Sequence, residues 1–136
     1  MQYNKIFLDL DGTVYIDNHI IDKADEQIRR LNNEGLEFFY VTNNTSQDTN
    51  YYFLKLKKLN LPVSNQSIIS PIKVISKWIK NKKYSQIYVL GVEDFKNELI
   101  KNTNVKISDQ NPDCIIVGFD KELTYQKLKT ACKLIQ

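Results

Sequence analysis

Short apolar runs alternate with stretches of helical period along the whole chain, and this alternation limits the fold more than any other feature. Ile6-Phe7-Leu8 reads as a buried strand. Asp22 is placed to N-cap a helix with Ala24, Ile28 and Leu31 on one face, stopped by Gly35. Residues 36–41 read as the next strand, ending in Thr42-Asn43-Asn44-Thr45-Ser46. Tyr52, Leu56 and Leu59 have helical spacing and end before Pro62; Ile68-Ile69 is a short strand. Ser70-Pro71 is a good helix start, with Pro at the first helical position, for a helix carrying Ile75, Trp78 and Ile79. Residues 87–90 form a strand closed by Gly91, and a shorter helix runs near Phe95 and Leu99. Asn111-Pro112 breaks the chain before a strand at Cys114–Val117, and Thr124 caps a last helix that turns Leu128, Cys132 and Ile135 inward. Strands alternating with helices, with runs apolar on both sides, predict an α/β protein with parallel strands.

Composition narrows the function classes. The chain has 136 residues, 42% hydrophobic and 26% charged, enough for one compact domain with a real core and short for two. A possible boundary falls near residues 80–86, where Lys82-Lys83-Tyr84-Ser85 links a helix to the next strand. No apolar run approaches the length of a membrane span, and no apolar stretch of signal-peptide length precedes the first acids. Gly12, Gly35, Gly91 and Gly118 lie too far apart for a Walker or dinucleotide-binding loop. Net charge is +3, and only Arg29 and Arg30 among the 19 bases are arginine, so no nucleic-acid partner is expected. The basic stretches Lys55-Leu56-Lys57-Lys58 and 77–83 lie on amphipathic helices and read as solvated faces. Cys114 and Cys132 have no metal-ligand spacing; buried, reduced thiols and a cytoplasmic location are expected. His19, the only histidine, cannot build a zinc cluster.

The chemistry concentrates in Phe7-Leu8-Asp9-Leu10-Asp11-Gly12-Thr13-Val14-Tyr15. Two carboxylates two residues apart leave the end of a strand, where open α/β sheets place their sites. Their mutual repulsion calls for a cation, and Mg²⁺ takes one or two carboxylates plus phosphate and water. One acid can then attack phosphorus and the other protonate the leaving oxygen. The same segment also suits a β-hairpin, because Asp-Gly fits a type I′ turn. Val41-Thr42-Asn43-Asn44 sits at the next strand end; a hydroxyl and backbone N–H groups there make an anion site, or simply a turn that caps the following helix. Taken together, the two polar strand ends suggest one shared phosphate site.

DLDGTVY followed by VTNN resembles motifs I and II of the haloacid dehalogenase-like phosphatases. The stretch Ile115-Ile116-Val117-Gly118-Phe119-Asp120, with Leu123-Thr124-Tyr125-Gln126-Lys127-Leu128, looks like the cap segment of subfamily IIA. That branch holds the 4-nitrophenylphosphatase, phosphoglycolate phosphatase and pyridoxal phosphatase types. The resemblance implies a Rossmann-like parallel-sheet core in residues 1–82, carrying both motifs, and a partial α/β cap in 83–136. It implies a Mg²⁺-dependent phosphomonoesterase acting on a small phosphorylated metabolite. Asp9 would be the nucleophile that forms an aspartyl-phosphate, and Asp11 the general acid, then base. The Asp9 side chain and the Asp11 backbone carbonyl would hold Mg²⁺. Thr42 would bind the transferring phosphoryl group, helped by backbone N–H groups near Asp11, Gly12 and Asn43, and residues 14–20 would form a flap beside the site.

The resemblance also implies a motif III lysine and a motif IV acid pair beyond the cap. The chain is expected to stop inside the cap, and Lys121, Lys127 and Lys133 are poor substitutes. Losing one such electrostatic contact often costs on the order of 10²–10³ in rate. A truncated form, weakly active or inactive, is therefore expected, with Ile6-Phe7-Leu8 as an apolar edge open to self-association. A second reading is a non-catalytic phosphate-binding or regulatory remnant. A response-regulator receiver fits the length and the early acids, but it needs an acid where Val41-Thr42-Asn43-Asn44 stands.

Overall fold

The computed structural model describes residues 3–136, which fall into two compact units. The first comprises the residues up to Asn43 together with 49–70; the second comprises 44–48 and 71–136. The sequence reading drew its boundary after residue 82, whereas the helix that begins at Pro71 groups with the second unit. Among the described residues, no helix is long and apolar enough to cross a membrane.

In the first unit, β1 (Lys5–Asp9), β4 (Glu37–Val41) and β5 (Ile68–Ile69) form a parallel sheet in the order β1-β4-β5. Two helices, α1 (Ala24–Asn33) and α2 (Thr49–Lys58), supply Ile28, Tyr52 and Leu56 to the same core as Phe38, Tyr40 and Ile68. That places both helices on one face of the sheet. Strand side chains alternate with a period of two, so β1 is not buried throughout as expected. Ile6 and Leu8 pack on the core, while Phe7 is 61% exposed and stacks on Phe39 at 5.1 Å. Lys5 sits over the Phe39 ring and pairs with Glu37 at 3.9 Å. The N-cap of α1 is Lys23, in a left-handed conformation without a side-chain cap, rather than Asp22. The Ala24 N–H already donates to the Ile21 carbonyl in a tight turn, which sets the helix start one residue later.

The Asp-Gly hairpin does not form: β1 pairs with β4, and β2 (Tyr15–Ile16) pairs with β3 (His19–Ile20) instead. This small hairpin occupies the segment expected to be the flap. Each of these two strands is two residues long and sits in a turn-rich segment, so neither shows the period-two pattern that marks a longer strand.

In the second unit, β6 (Gln86–Leu90) lies between β7 (Lys106–Ile107) and β8 (Cys114–Val117), all parallel. Helices α3 (Pro71–Lys82) and α4 (Glu93–Thr103) bury Ile72, Ile79, Phe95 and Leu99 with Ile87 and Val89 of the sheet. Trp78, which the sequence reading places on this helix with Ile75 and Ile79, is 41% exposed and meets Tyr84 edge-on at 5.3 Å. The buried face of α3 is Ile72, Ser76 and Ile79, spaced i, i+4, i+7, which leaves Trp78 on its flank. Helix α5 (Tyr125–Ile135) starts as expected, with Thr124 Oγ1 accepting from Lys127 N. It packs through Ala131, and the Tyr88 hydroxyl donates to the Lys127 carbonyl. Leu128, Cys132 and Ile135 therefore lie off the contact side and are exposed, contrary to expectation. Cys132 is not a buried thiol, and Cys114 is only half-buried. Before α5, the shielded Asp120 carboxylate takes the Lys127 ammonium at 2.9 Å and the Glu122 N–H at 2.9 Å.

Candidate functional site

Strands β1 and β4 run parallel in register, with Asp9 opposite Val41. The carboxyl ends of both strands thus lie side by side, and the segments that leave them carry Asp11, Gly12, Thr42 and Asn43. All five predicted site residues lie in the first unit.

The chain leaves β1 in a tight loop over 10–15. The Thr13 and Val14 N–H groups donate to the Leu10 carbonyl at 3.2 and 2.9 Å, and Gly12 N–H donates to the Tyr15 carbonyl at 2.8 Å. Gly12 has φ +83°, a left-handed geometry that an L side chain adopts only with strain, so the loop needs its glycine. The bond to Tyr15 corrects the expected role of Gly12: its N–H is spent inside the loop rather than directed at an anion. Asp9 and Asp11 are both exposed. The Thr13 hydroxyl donates to Asp9 Oδ2 at a long 3.4 Å.

Thr42 is buried, its N–H donates to the Ile69 carbonyl at 3.0 Å, and its hydroxyl hydrogen-bonds the Tyr52 phenol. Burial, relieved in part by Thr42 and reinforced by Asp11 and Tyr51, pushes the Tyr52 phenol up to about 12. Tyr15 is fully buried beside this pair, and its phenol is raised further by burial, then by Asp11. Asn43 is exposed beside Thr42.

Sequence reasoning missed Thr13, Tyr15, Tyr52 and Lys55 as neighbours of the acid pair. Lys55, expected on a solvated face, is half-buried with Nζ 3.6 Å from the Tyr15 ring centroid. The available signal was positional: Tyr52 and Lys55 are spaced i, i+3 on the helix that follows β4, so one helix face can meet the strand ends.

Among the described residues, no three His, Cys, Asp or Glu side chains converge on one point. The donors present, two exposed carboxylates beside a strand end, suit a hard cation that completes its shell with phosphate oxygens and water.

Residues 6–104 match the family described as haloacid dehalogenase-like hydrolase. The 5'-nucleotidase YutF of Bacillus subtilis is 29% identical over 135 residues, covering 98% of this chain and 52% of that protein. An acid sugar phosphatase of Staphylococcus saprophyticus is 31% identical over 130 residues, covering 95% of this chain and 50% of that one. The crystal structure of a 4-nitrophenylphosphatase from Thermotoga maritima superposes with a TM-score of 0.89 at 29% identity, over 98% of this chain and 51% of its own. The chain spans about half the length of the curated relatives it matches. With most of its length inside the family match and its fold shared with these relatives, the chain belongs to the haloacid dehalogenase-like hydrolase family.

Proposed function

We propose that the site hydrolyses phosphomonoesters of small metabolites with Mg²⁺, through an aspartyl-phosphate on Asp9. The observation that carries this reading is the in-register pairing that sets the Asp9 strand end beside the one leading to Thr42. In the first step an Asp9 carboxylate oxygen attacks phosphorus while the bond to the leaving oxygen breaks. Asp11 gives that oxygen its proton. In the second step Asp11, now ionised, takes a proton from water, and the hydroxide attacks phosphorus to release inorganic phosphate and free Asp9. The amides of Asp11 and Asn43, and the Thr42 hydroxyl once it turns from the Tyr52 phenol to the ligand, supply hydrogen bonds to the transferring group. Asp9 and the Asp11 carbonyl would hold Mg²⁺, which when bound supplies charge neutralisation at the phosphoryl oxygens. The names of the relatives, a nucleotidase, an acid sugar phosphatase and a nitrophenylphosphatase, support the reaction class and leave the substrate open.

The test is release of 4-nitrophenol from 4-nitrophenyl phosphate with and without Mg²⁺, by this chain and its Asp9→Asn variant. Weak turnover that requires both the metal and Asp9 is the expected result. Turnover that survives Asp9→Asn would overturn the mechanism. Binding of inorganic phosphate without turnover would favour the second reading, a phosphate-binding remnant of such an enzyme.

A further inference from the structure

Lys55 has no part in the chemistry just described, yet its surroundings are specific. Its ammonium stands 3.6 Å from the centroid of the Tyr15 ring and 5.8 Å from that of Tyr51. Tyr51 in turn meets Tyr52 edge-on at 5.4 Å. A cation over an aromatic face is attracted by the ring quadrupole, more strongly where water is displaced, and Tyr15 is 0% exposed. Burial lowers the proton affinity of Lys55, while Asp11 and then Asp17 favour its charged form. Asp11 lies in the catalytic loop, and Asp17 lies in the turn between β2 and β3. Tyr15 closes that loop, because its carbonyl accepts from Gly12 and its N–H donates to Leu10. A cation seated on Tyr15 therefore acts on the turn that carries Asp11.

We propose that Lys55 is a positioning residue whose ammonium, seated on the Tyr15 ring, clamps the 10–20 segment to α2 and so fixes Asp11 relative to Thr42. Helix α2 then holds both halves of the site: Tyr52 takes the Thr42 hydroxyl, and Lys55 takes the loop. This deepens the phosphatase reading, and its kinetic arm rests on that reading.

Two variants test it in the full chain. Lys55→Met keeps an apolar stem and removes the charge; Lys55→Arg keeps a cation able to stack on the ring. Amide hydrogen exchange is followed for peptides covering 10–20, with α1 as the internal reference. Lys55→Met is expected to speed exchange in 10–20 about fivefold with α1 unchanged, and Lys55→Arg to restore protection. With 4-nitrophenyl phosphate, Lys55→Met is expected to lower kcat about tenfold and move KM less than about twofold, because misplaced groups cost rate rather than binding. Unchanged exchange in 10–20, equal loss of protection in α1, or failure of Lys55→Arg to rescue would each overturn the clamp. A parent chain that binds inorganic phosphate without releasing nitrophenol is the remnant of the second reading, and the exchange comparison still decides the clamp.

Discussion

Replacing Gly118 by Ala should destabilise the second unit by about 2–4 kcal/mol, a figure that comes from two contacts. A Cβ built on Gly118 lies 2.7 Å from the Phe95 ring and 2.8 Å from Thr45 Oγ1. Phe95 is fully buried, so its ring cannot swing into solvent. Thr45 Oγ1 accepts the Phe119 N–H at 2.7 Å, so moving it also strains a hydrogen bond. Overpacking of this kind costs about 1–3 kcal/mol, and a weakened hydrogen bond adds about 1. The chain has one tryptophan, and Trp78 lies in the same unit. Urea unfolding followed by its fluorescence therefore reports on the unit that carries the change. With a slope of about 2 kcal/mol per molar, the midpoint should fall by roughly 1–2 M. Phe95→Leu in the same chain makes room for the new methyl, so the cost of Gly118→Ala should shrink by about 1 kcal/mol or more in the double variant. A midpoint unmoved by Gly118→Ala, or strict additivity with Phe95→Leu, would refute the steric reasoning.

Gly12→Ala meets no atom within 4 Å, so its cost is dihedral strain alone, about 1–2 kcal/mol by near-ultraviolet circular dichroism of the tyrosines in urea. The Asp120 carboxyl feels burial raising its affinity for protons, yet Lys127 and the Glu122 N–H hold it below the ordinary range. Its stabilising contribution is therefore present at neutral pH and is lost as pH falls through and below that range. Asp120→Asn should flatten the acid limb of Trp78 fluorescence. The Tyr52 phenol, ordinarily near 10, stays protonated to about 12 in the fold, so stability should decline as pH rises from about 10 towards 12. Tyr52→Phe should make that alkaline loss shallower. Self-association along β1 predicts a scattering mass that rises with concentration; a constant monomer mass with a protected β1 would exclude it.

The order of the major elements was legible in the sequence because each has its own period and punctuation. Pro71, Gly91, Pro112 and Thr124 mark element boundaries that the structure keeps. Facing was less legible. Leu128, Cys132 and Ile135 form a proper helical stripe, but the stripe states only that a face is apolar, not that it is covered. Phe7 illustrates the same limit for a strand: an apolar triplet does not reveal how many faces of a sheet carry helices. The acid pair and Thr42 could be placed on neighbouring strand ends from their motifs. The tyrosine and lysine around them could not, since the contacts depend on how α2 is rotated. The hydrogen bond that occupies the Gly12 amide is likewise invisible until the loop is closed.

The Phe7–Phe39 pair, on the face of the first sheet opposite α1 and α2, has a colloidal consequence. Lys5 sits over the Phe39 ring and pairs with Glu37, and the two charges cancel. The whole chain carries a net +3, so long-range repulsion between copies is weak and is screened at moderate salt. Solubility then follows the identity of the salt more than its concentration. Sulfate and phosphate, excluded from apolar surface, favour removal of the aromatic patch from water and bring the protein out of solution early. The choice of buffer should thus set how the protein behaves in the tube, because one stacked aromatic pair, with Phe7 61% exposed, lies on that sheet face.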